Sequence, residues 1–439
     1  MRGWTAEQVA EAAGARLISA PNVVESGPSR AVIDSREAGP DDLFFGLIGE
    51  HTDGGRFAAD VLARGAWGVV VRPEHASDDL TGGVVLTADD PLAALQTLAT
   101  AWRRALGAQV IGVTGSTGKT STKDLLAAMV GQQKRTVATH ANFNTEIGLP
   151  LTVLGAPDGT EVLVLEMAMR GAGQIAELAR IAEPDVALIT NIGPVHLEQL
   201  GSIEAIAAEK ASVIAGLRPG GTAVVPRDEP LLQPHLRDDV HTVTFGPGDE
   251  LANLEIGFTS KHMRLNASAA LAAARAVGVE PSGRVEVALS DLRGQRIELP
   301  GGVTVVNDCY NANPMSMRAA LDDLAVAATG RRVAVLGDML ELGPDEERFH
   351  REIGDHARAS GVDLLITVGP RAAAMQGDHA VADAAEAAAL VPELLEDGDT
   401  VLVKASRGVG LEVVAQALTA GGDGVSASGP RKLGPADDV

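Results

Sequence analysis

Residues 110–122 read Val-Ile-Gly-Val-Thr-Gly-Ser-Thr-Gly-Lys-Thr-Ser-Thr, a β-branched run that breaks into a glycine-punctuated turn and resumes as a helical pattern. A strand that passes through such a turn into a helix is half of a β-α-β unit, which commits the chain to a parallel sheet covered by helices. The same turn carries chemistry. Backbone N–H groups around Gly115 and Gly118 can face phosphate oxygens, Lys119 supplies a point charge, and the Thr120 hydroxyl can ligate Mg²⁺. Gly115, Ser116, Thr117, Gly118, Lys119, Thr120 and Ser121 are therefore candidate contacts for a nucleoside triphosphate. The longer G-x-x-x-x-G-K-[ST] template would need glycine where Val113 stands, so this is a short form, Thr-Gly-x-x-Gly-Lys-Thr.

Composition narrows the partners. A chain of 439 residues exceeds one ordinary core and points to several domains, and its 3% aromatic content with abundant Ala, Val and Leu favours α/β layers. The net charge of −23 repels a nucleic-acid backbone or an anionic membrane, so neither is expected as a partner. The single cysteine, Cys309, rules out an internal disulfide and a cysteine metal cluster and fits a reducing cytoplasm. The first residues lack an apolar signal core, and no apolar run is long enough to span a bilayer.

Residues 1–106 alternate short strand and helix signals and close on a helical stretch at 91–106, a small α/β domain. From 107 the pattern becomes strand then helix repeatedly, with strands expected at 109–114, 161–167, 185–191 and 222–225 and helices at 119–130, 171–182 and 202–216. After an interruption at 294–302 the alternation restarts, with strands at 303–307, 332–336, 363–368 and 400–404. The expected architecture is three domains, 1–106, 107–294 and 295–420, the last two doubly wound, followed by a disordered tail at 421–439.

Several polar residues fall at strand ends. Glu166 closes the run Glu161-Val-Leu-Val-Leu-Glu166, at the sheet edge where it can hold a metal with Thr120. The loop His140-Ala-Asn142-Phe-Asn144-Thr145-Glu146 is dense in amides and hydroxyls and suits a sugar or peptide, with Asn142, Asn144 and Thr145 as contacts. Asp338, Ser406 and Arg407 end strands of the third domain and would offer paired charges to a zwitterion. On the residues alone, His196 reads as a satisfied polar side chain and Lys210 as a solvated helix lysine.

Assembled, these residues resemble the Mur ligase family over nearly the whole chain. The resemblance rests on Asp34-Ser35-Arg36, Leu43-Phe44, Asp53-Gly54 and Phe57 in the first domain. Centrally it rests on the phosphate loop, Asn142-Phe-Asn144-Thr145, Glu166 and Gly193-Pro194-x-His196. At the C-terminal end Asn307-Asp308-x-Tyr310-Asn311-Ala312-Asn313-Pro314 and Leu336-Gly337-Asp338-Met339-x-Glu341-Leu342-Gly343 carry it. The resemblance implies a uridine-nucleotide domain with Ser35 and Arg36 at its site, a central ATP domain and a Rossmann-like C-terminal domain. It implies ATP and two Mg²⁺ ions, held by Thr120, Glu166, His196 and Lys210, the last as a carbamylated lysine. Lys119, Glu166, His196 and Lys210 would be catalytic, Asn266, Arg296 and Asn311 would reach the nucleotide, and Asp338, Ser406 and Arg407 would face the amine.

The implied reaction adds D-alanyl-D-alanine to UDP-muramoyl-tripeptide through an acyl phosphate, in cytoplasmic peptidoglycan precursor synthesis by a monomeric enzyme. A paralogue that joins another carboxylate and amine on the same scaffold remains an open alternative. Between Phe245-Gly246 and Lys261-His262 the family carries a longer β-rich segment, so the central domain is expected to be trimmed near 247–261.

Overall fold

Val162–Leu165 and Val186–Ile189 are apolar without alternation, and every residue of the strands Val162–Glu166 and Val186–Ile189 is buried. Strands covered on both faces need helices above and below, which parallel pairing supplies through its crossovers. The computed structural model describes residues 1–21, 26–77, 80–251, 253–258, 260–287, 290 and 292–420, so the tail expected at 421–439 lies outside the described residues.

Three sheets follow one another along the chain. The first orders its strands Arg16–Ser19, Val84–Thr87, Gly68–Val71, Asp42–Phe45 and Arg30–Val32, with the Arg16–Ser19 edge antiparallel and the rest parallel. The second runs His241–Phe245, Thr222–Pro226, Val186–Ile189, Gln109–Thr114, Val162–Glu166 and Thr136–Ala138, parallel throughout. The third runs Gln295–Glu298, Thr304–Asn307, Thr400–Lys404, Arg332–Gly337, Leu364–Val368 and His379–Val381, with its first pair antiparallel. The fold class is therefore the expected one.

Gln109–Thr114 lies inside the second sheet. The chain leaves it toward Thr136–Ala138 and Val162–Glu166 on one side before crossing to Val186–Ile189 on the other. That reversal is the switch point at which open α/β sheets bind ligands, and the phosphate loop sits on it.

The helix Pro91–Leu106 belongs to two layers at once. Asp90 caps it and Pro91 opens its first turn. Trp102 donates to Ala156 O at 3.0 Å and Arg103 to Ala182 O at 3.0 Å, both in the second unit. One hydrophobic core accordingly runs from Val9, Leu95 and Leu98 into Leu149 and Ile175. The expected strand at 185–191 is shorter, ending at Ile189, because Thr190 and Asn191 turn away to hold the phosphate loop. Between Phe245 and Lys261 the described residues hold one short strand, Leu254–Ile256, paired with Gly283–Val285. Among the described residues, no helix is long and apolar enough to cross a membrane.

Candidate active site

The helix Lys119–Gly131 begins at Gly118, which has φ +75° and provides no side-chain cap. Its first-turn N–H groups are thus left for an anion. A Cβ on Gly118 would stand 2.6 Å from Asn266 Oδ1, and one on Gly115 would stand 1.9 Å from Thr190 Oγ1. Glycine is required at both positions because neighbouring side chains fill the space. The loop after Val186–Ile189 locks the turn. Thr117 N donates to Asn191 Oδ1 at 2.9 Å, and Asn191 Nδ2 returns a bond to Thr117 Oγ1 at 2.9 Å. Ser116 Oγ donates to Gly193 O at 3.0 Å and accepts from Gly193 N at 2.8 Å. Ser116 N also donates to Asn191 O at 3.0 Å, so Ser116 and Thr117 are held to the 190–193 loop through side chain and backbone alike and shape the cradle.

Lys119 Nζ donates to Gly115 O at 2.8 Å across the loop. Burial, reinforced by the nearby Arg293 charge and opposed by Glu166, pulls its amine down to about 8. A bound phosphate would restore the positive charge that burial disfavours.

Glu166 makes the clearest case for a cation. Its Oε1 accepts from Thr120 Oγ1 at 3.2 Å and from Asn144 Nδ2 at 3.0 Å, while its backbone N–H donates to Thr139 Oγ1 at 2.9 Å. Its Oε2 is buried with no hydrogen-bond partner among the described residues. A bare carboxylate oxygen beside a hydroxyl at a phosphate loop is a hard, oxygen-only donor set, and it fits Mg²⁺. Asn144, expected as a substrate contact, thus has its amide committed to Glu166.

His196 has the partner that a satisfied polar side chain needs, whereas Lys210 differs from what its residue alone suggested. His196 sits at φ +54° at the start of the short helix Leu197–Leu200, and its Nδ1 lies 2.5 Å from Glu341 Oε2 of the third unit. Lys210, on the helix Ile203–Ala215, is fully buried, and its Nζ has only the Met169 sulfur at 3.9 Å as a hydrogen-bond partner among the described residues. The adjacent Glu209 carboxylate is taken by the N–H groups of Gly173 and Ile175. Burial, with the like charge of Lys119 behind it, pushes the Lys210 amine well below the ordinary lysine value. It is therefore no solvated surface lysine: the helix face carrying it turns inward to the phosphate loop.

At the C-terminal edge of the third sheet, three strand-end loops are tied together. Ser406 N donates to Asp338 O at 3.0 Å, and Ser406 Oγ accepts from Leu340 N at 2.9 Å and donates to Ala312 O at 3.3 Å. Asp338 Oδ1 accepts from Ala372 N at 2.7 Å, with the Arg371 guanidinium 3.8 Å from Oδ2. Lys404, fully buried, donates to Asp308 Oδ2 at 2.6 Å and to Asn311 O at 2.9 Å. Beneath this edge Met339 N donates to His350 Nε2 at 2.9 Å, while His350 Nδ1 lies 2.7 Å from Glu346 O. A nitrogen that accepts cannot carry the proton, so His350 is neutral with its proton on Nδ1.

Other expected residues lie farther from these contacts. Arg296 is exposed on the edge strand, paired with Val306; it is Arg293 whose Nη2 reaches Thr120 Oγ1 at 3.3 Å and whose guanidinium stacks 3.9 Å from the Tyr310 ring centroid. Asn311 is exposed, its Oδ1 accepting from Ala312 N at 2.8 Å. Arg407 is ion-paired with Glu412 at 2.8 Å. In the first unit Arg36 pairs with Asp34 at 2.6 Å and Ser35 offers its carbonyl to Arg64; Asn142 is exposed at the tip of its loop, with Thr145 half-buried. Arg293, Glu341, Thr190, Asn191 and Lys404 are the structure's own additions. Arg293 lies three residues before Arg296, and no pattern in the sequence singles it out.

These features define a class: an α/β protein of three successive sheet units, with a glycine-rich loop and a buried carboxylate at the edge of the second and a further doubly wound unit meeting it. The chain belongs to the Mur ligase family. Residues 113–260 match the Mur ligase middle domain and residues 292–407 the Mur ligase, glutamate ligase domain. The UDP-N-acetylmuramoyl-tripeptide--D-alanyl-D-alanine ligase of Bacillus subtilis is 38% identical over 88% of this chain and 92% of its own length. The ligase of the same name from Escherichia coli is 31% identical over 89% and 93%. Among solved structures, MurF from Acinetobacter baumannii superposes with a TM-score of 0.84 at 27% identity, covering 95% of this chain and 99% of that one. MurF ligase from Thermotoga maritima, in complex with ADP, gives 0.78 at 29% identity over 89% and 96%.

Proposed function

We propose that this chain is an ATP-dependent ligase that joins the carboxylate of UDP-N-acetylmuramoyl-tripeptide to the amine of D-alanyl-D-alanine in peptidoglycan precursor synthesis. Full-length similarity to ligases bearing that name supports this substrate pair over a paralogue with another acid and amine. The observation that carries the site is the bare, buried Glu166 Oε2 beside Thr120 at the head of an uncapped helix. It accounts for ATP and Mg²⁺ together.

The peptide carboxylate and the γ-phosphate are both anions, so the protein's task is to neutralise and align them. Lys119 and Arg293 bring positive charge to the phosphates, and the first-turn N–H groups add their dipoles. Thr120 and Glu166 would hold a Mg²⁺ ion, which supplies further charge neutralisation on the phosphate oxygens. The γ-phosphoryl group passes to the carboxylate oxygen and ADP departs. The incoming amine then attacks the carbonyl carbon, loses a proton, and expels phosphate to leave the amide.

His196 and Lys210 are assigned to a second metal position. Among the described residues Lys210 has no oxygen partner for a charged ammonium, and an uncharged amine is the form that combines with CO₂ to give a carbamate with two oxygen donors. Ser35 and Arg36 are assigned to the uridine nucleotide, Asn142 and Thr145 to the peptide arm, Asn266 and Asn311 to the nucleoside, and Asp338, Ser406 and Arg407 to the amine dipeptide. The working units are 1–106, 107–294 and 295–420, acting as one cytoplasmic monomer in which a single chain supplies every assigned group.

Purified protein given ATP, Mg²⁺ and UDP-muramoyl-tripeptide should release phosphate and form amide only when D-alanyl-D-alanine is present. No phosphate with that pair, or faster release with a different amine, would overturn the assignment.

A further inference from the structure

His196 and Glu341 come from different units, yet their side chains meet at 2.5 Å. Both are non-glycine residues at positive φ, His196 at +54° and Glu341 at +64°. Each conformation is disfavoured for a residue with a Cβ, and such strain persists only where the surroundings over-determine it. The backbone reinforces the meeting, since Glu198 N donates to Glu341 O at 3.4 Å. Leu197, between those two residues, packs into the core of the third unit. The Arg170 guanidinium, on the segment that follows Glu166, is close enough to act on the Glu341 charge.

An ionised carboxylate only accepts, so the proton on this contact belongs to His196 Nδ1, and Nε2 is the nitrogen left to face a metal ion. Metal-binding histidines generally give their other N–H to a carboxylate or carbonyl that fixes tautomer and ring direction.

We propose that Glu341 is a positioning residue for the second metal position: from the C-terminal unit it holds His196 Nδ1–H, so the ligand nitrogen is aimed only when that unit is docked on the central one. The inference rests on the assignment of His196 as a metal ligand and extends it, making the amine-binding unit part of the metal centre. The Leu336-to-Gly343 motif would then serve two purposes, with Asp338 toward the amine and Glu341 toward the histidine.

The test is Mn²⁺ binding to the full-length protein with ADP, followed by electron paramagnetic resonance, which requires no turnover. Wild type should bind two ions. His196→Ala should lose one. Glu341→Ala should keep both but bind the weaker one about 10-fold less tightly, with an unchanged melting temperature. Glu341→Gln, which still accepts the Nδ1 proton through its amide oxygen, should fall between. Wild-type Mn²⁺ affinity in Glu341→Ala, with His196→Ala defective, overturns the role of Glu341 alone. Wild-type binding in His196→Ala overturns the ligand assignment beneath it.

Discussion

Thr120 Oγ1 and Glu166 Oε1 lie 3.2 Å apart across the phosphate loop, and the other oxygen of that carboxylate is buried without a partner among the described residues. A bare buried oxygen is costly unless a ligand completes it. Glu166→Gln preserves size and can still accept from Thr120, but it removes the charge. Calorimetric titration with ADP should show strong Mg²⁺ dependence in wild type and nearly none in the variant. Equal dependence in both would remove Glu166 from the metal site.

Gly118 and Asn266 share one space. Adding a methyl group at 118 forces it to within 2.6 Å of the amide oxygen at a φ of +75°. Gly118→Ala should cost about 1–3 kcal/mol in a denaturant titration and abolish ADP binding, whereas Gly131→Ala, with nothing within 4 Å of its Cβ, should do neither.

Two arginines three residues apart have opposite expected effects. Arg293→Ala removes a guanidinium that reaches Thr120 and stacks on Tyr310, and should raise the KM for ATP about 10-fold. Arg296→Ala, exposed on an edge strand, should change stability by less than about 0.5 kcal/mol and leave that KM unaltered. The reverse pattern in steady-state kinetics would exchange their roles.

Lys404 anchors the Asp308-to-Asn311 loop from inside the third core. Lys404→Met strands the Asp308 carboxylate without its cation, and should cost about 3 kcal/mol by chemical denaturation. If instead stability holds while activity falls, Lys404 acts on substrate and not on the loop.

His350 makes the third unit sensitive to acid. Burial lowers its folded value below the ordinary 6.5 of the unfolded chain. Above pH 6.5 both states are neutral and the group contributes no pH dependence. As pH falls below 6.5 the unfolded chain takes up a proton first, so stability declines at up to about 1.4 kcal/mol per pH unit until the folded value is reached. His350→Gln should flatten the stability profile below pH 6.5 by this one-proton slope, measured by denaturation at a series of pH values. An unchanged slope would show that His350 is already protonated in the fold.

How much of this was readable in the chain varies by element. The runs at 109–114 and 161–167 declared buried parallel strands because a doubly covered strand has no polar alternation. The turn at 115–120 declared a phosphate site because its chemistry is local, held within six consecutive residues. Lys210 was not readable in the same way. Its helix, Ile203–Ala215, is apolar on several faces, so periodicity could not say which face the lysine occupied. The resemblance points to Arg296, and nothing local in the sequence singles out Arg293, whose reach to Thr120 is set by tertiary packing.

The sequence by itself determined the parallel α/β layering, the nucleotide cradle and the family, since each is written in short runs whose meaning depends on near neighbours. The tertiary structure alone decided that Glu166 keeps one oxygen bare, that Lys210 is sealed from water, and that Glu341 reaches His196. Those relations join residues far apart in the chain. The packing of one unit on another fixes their distance, and no local pattern encodes it.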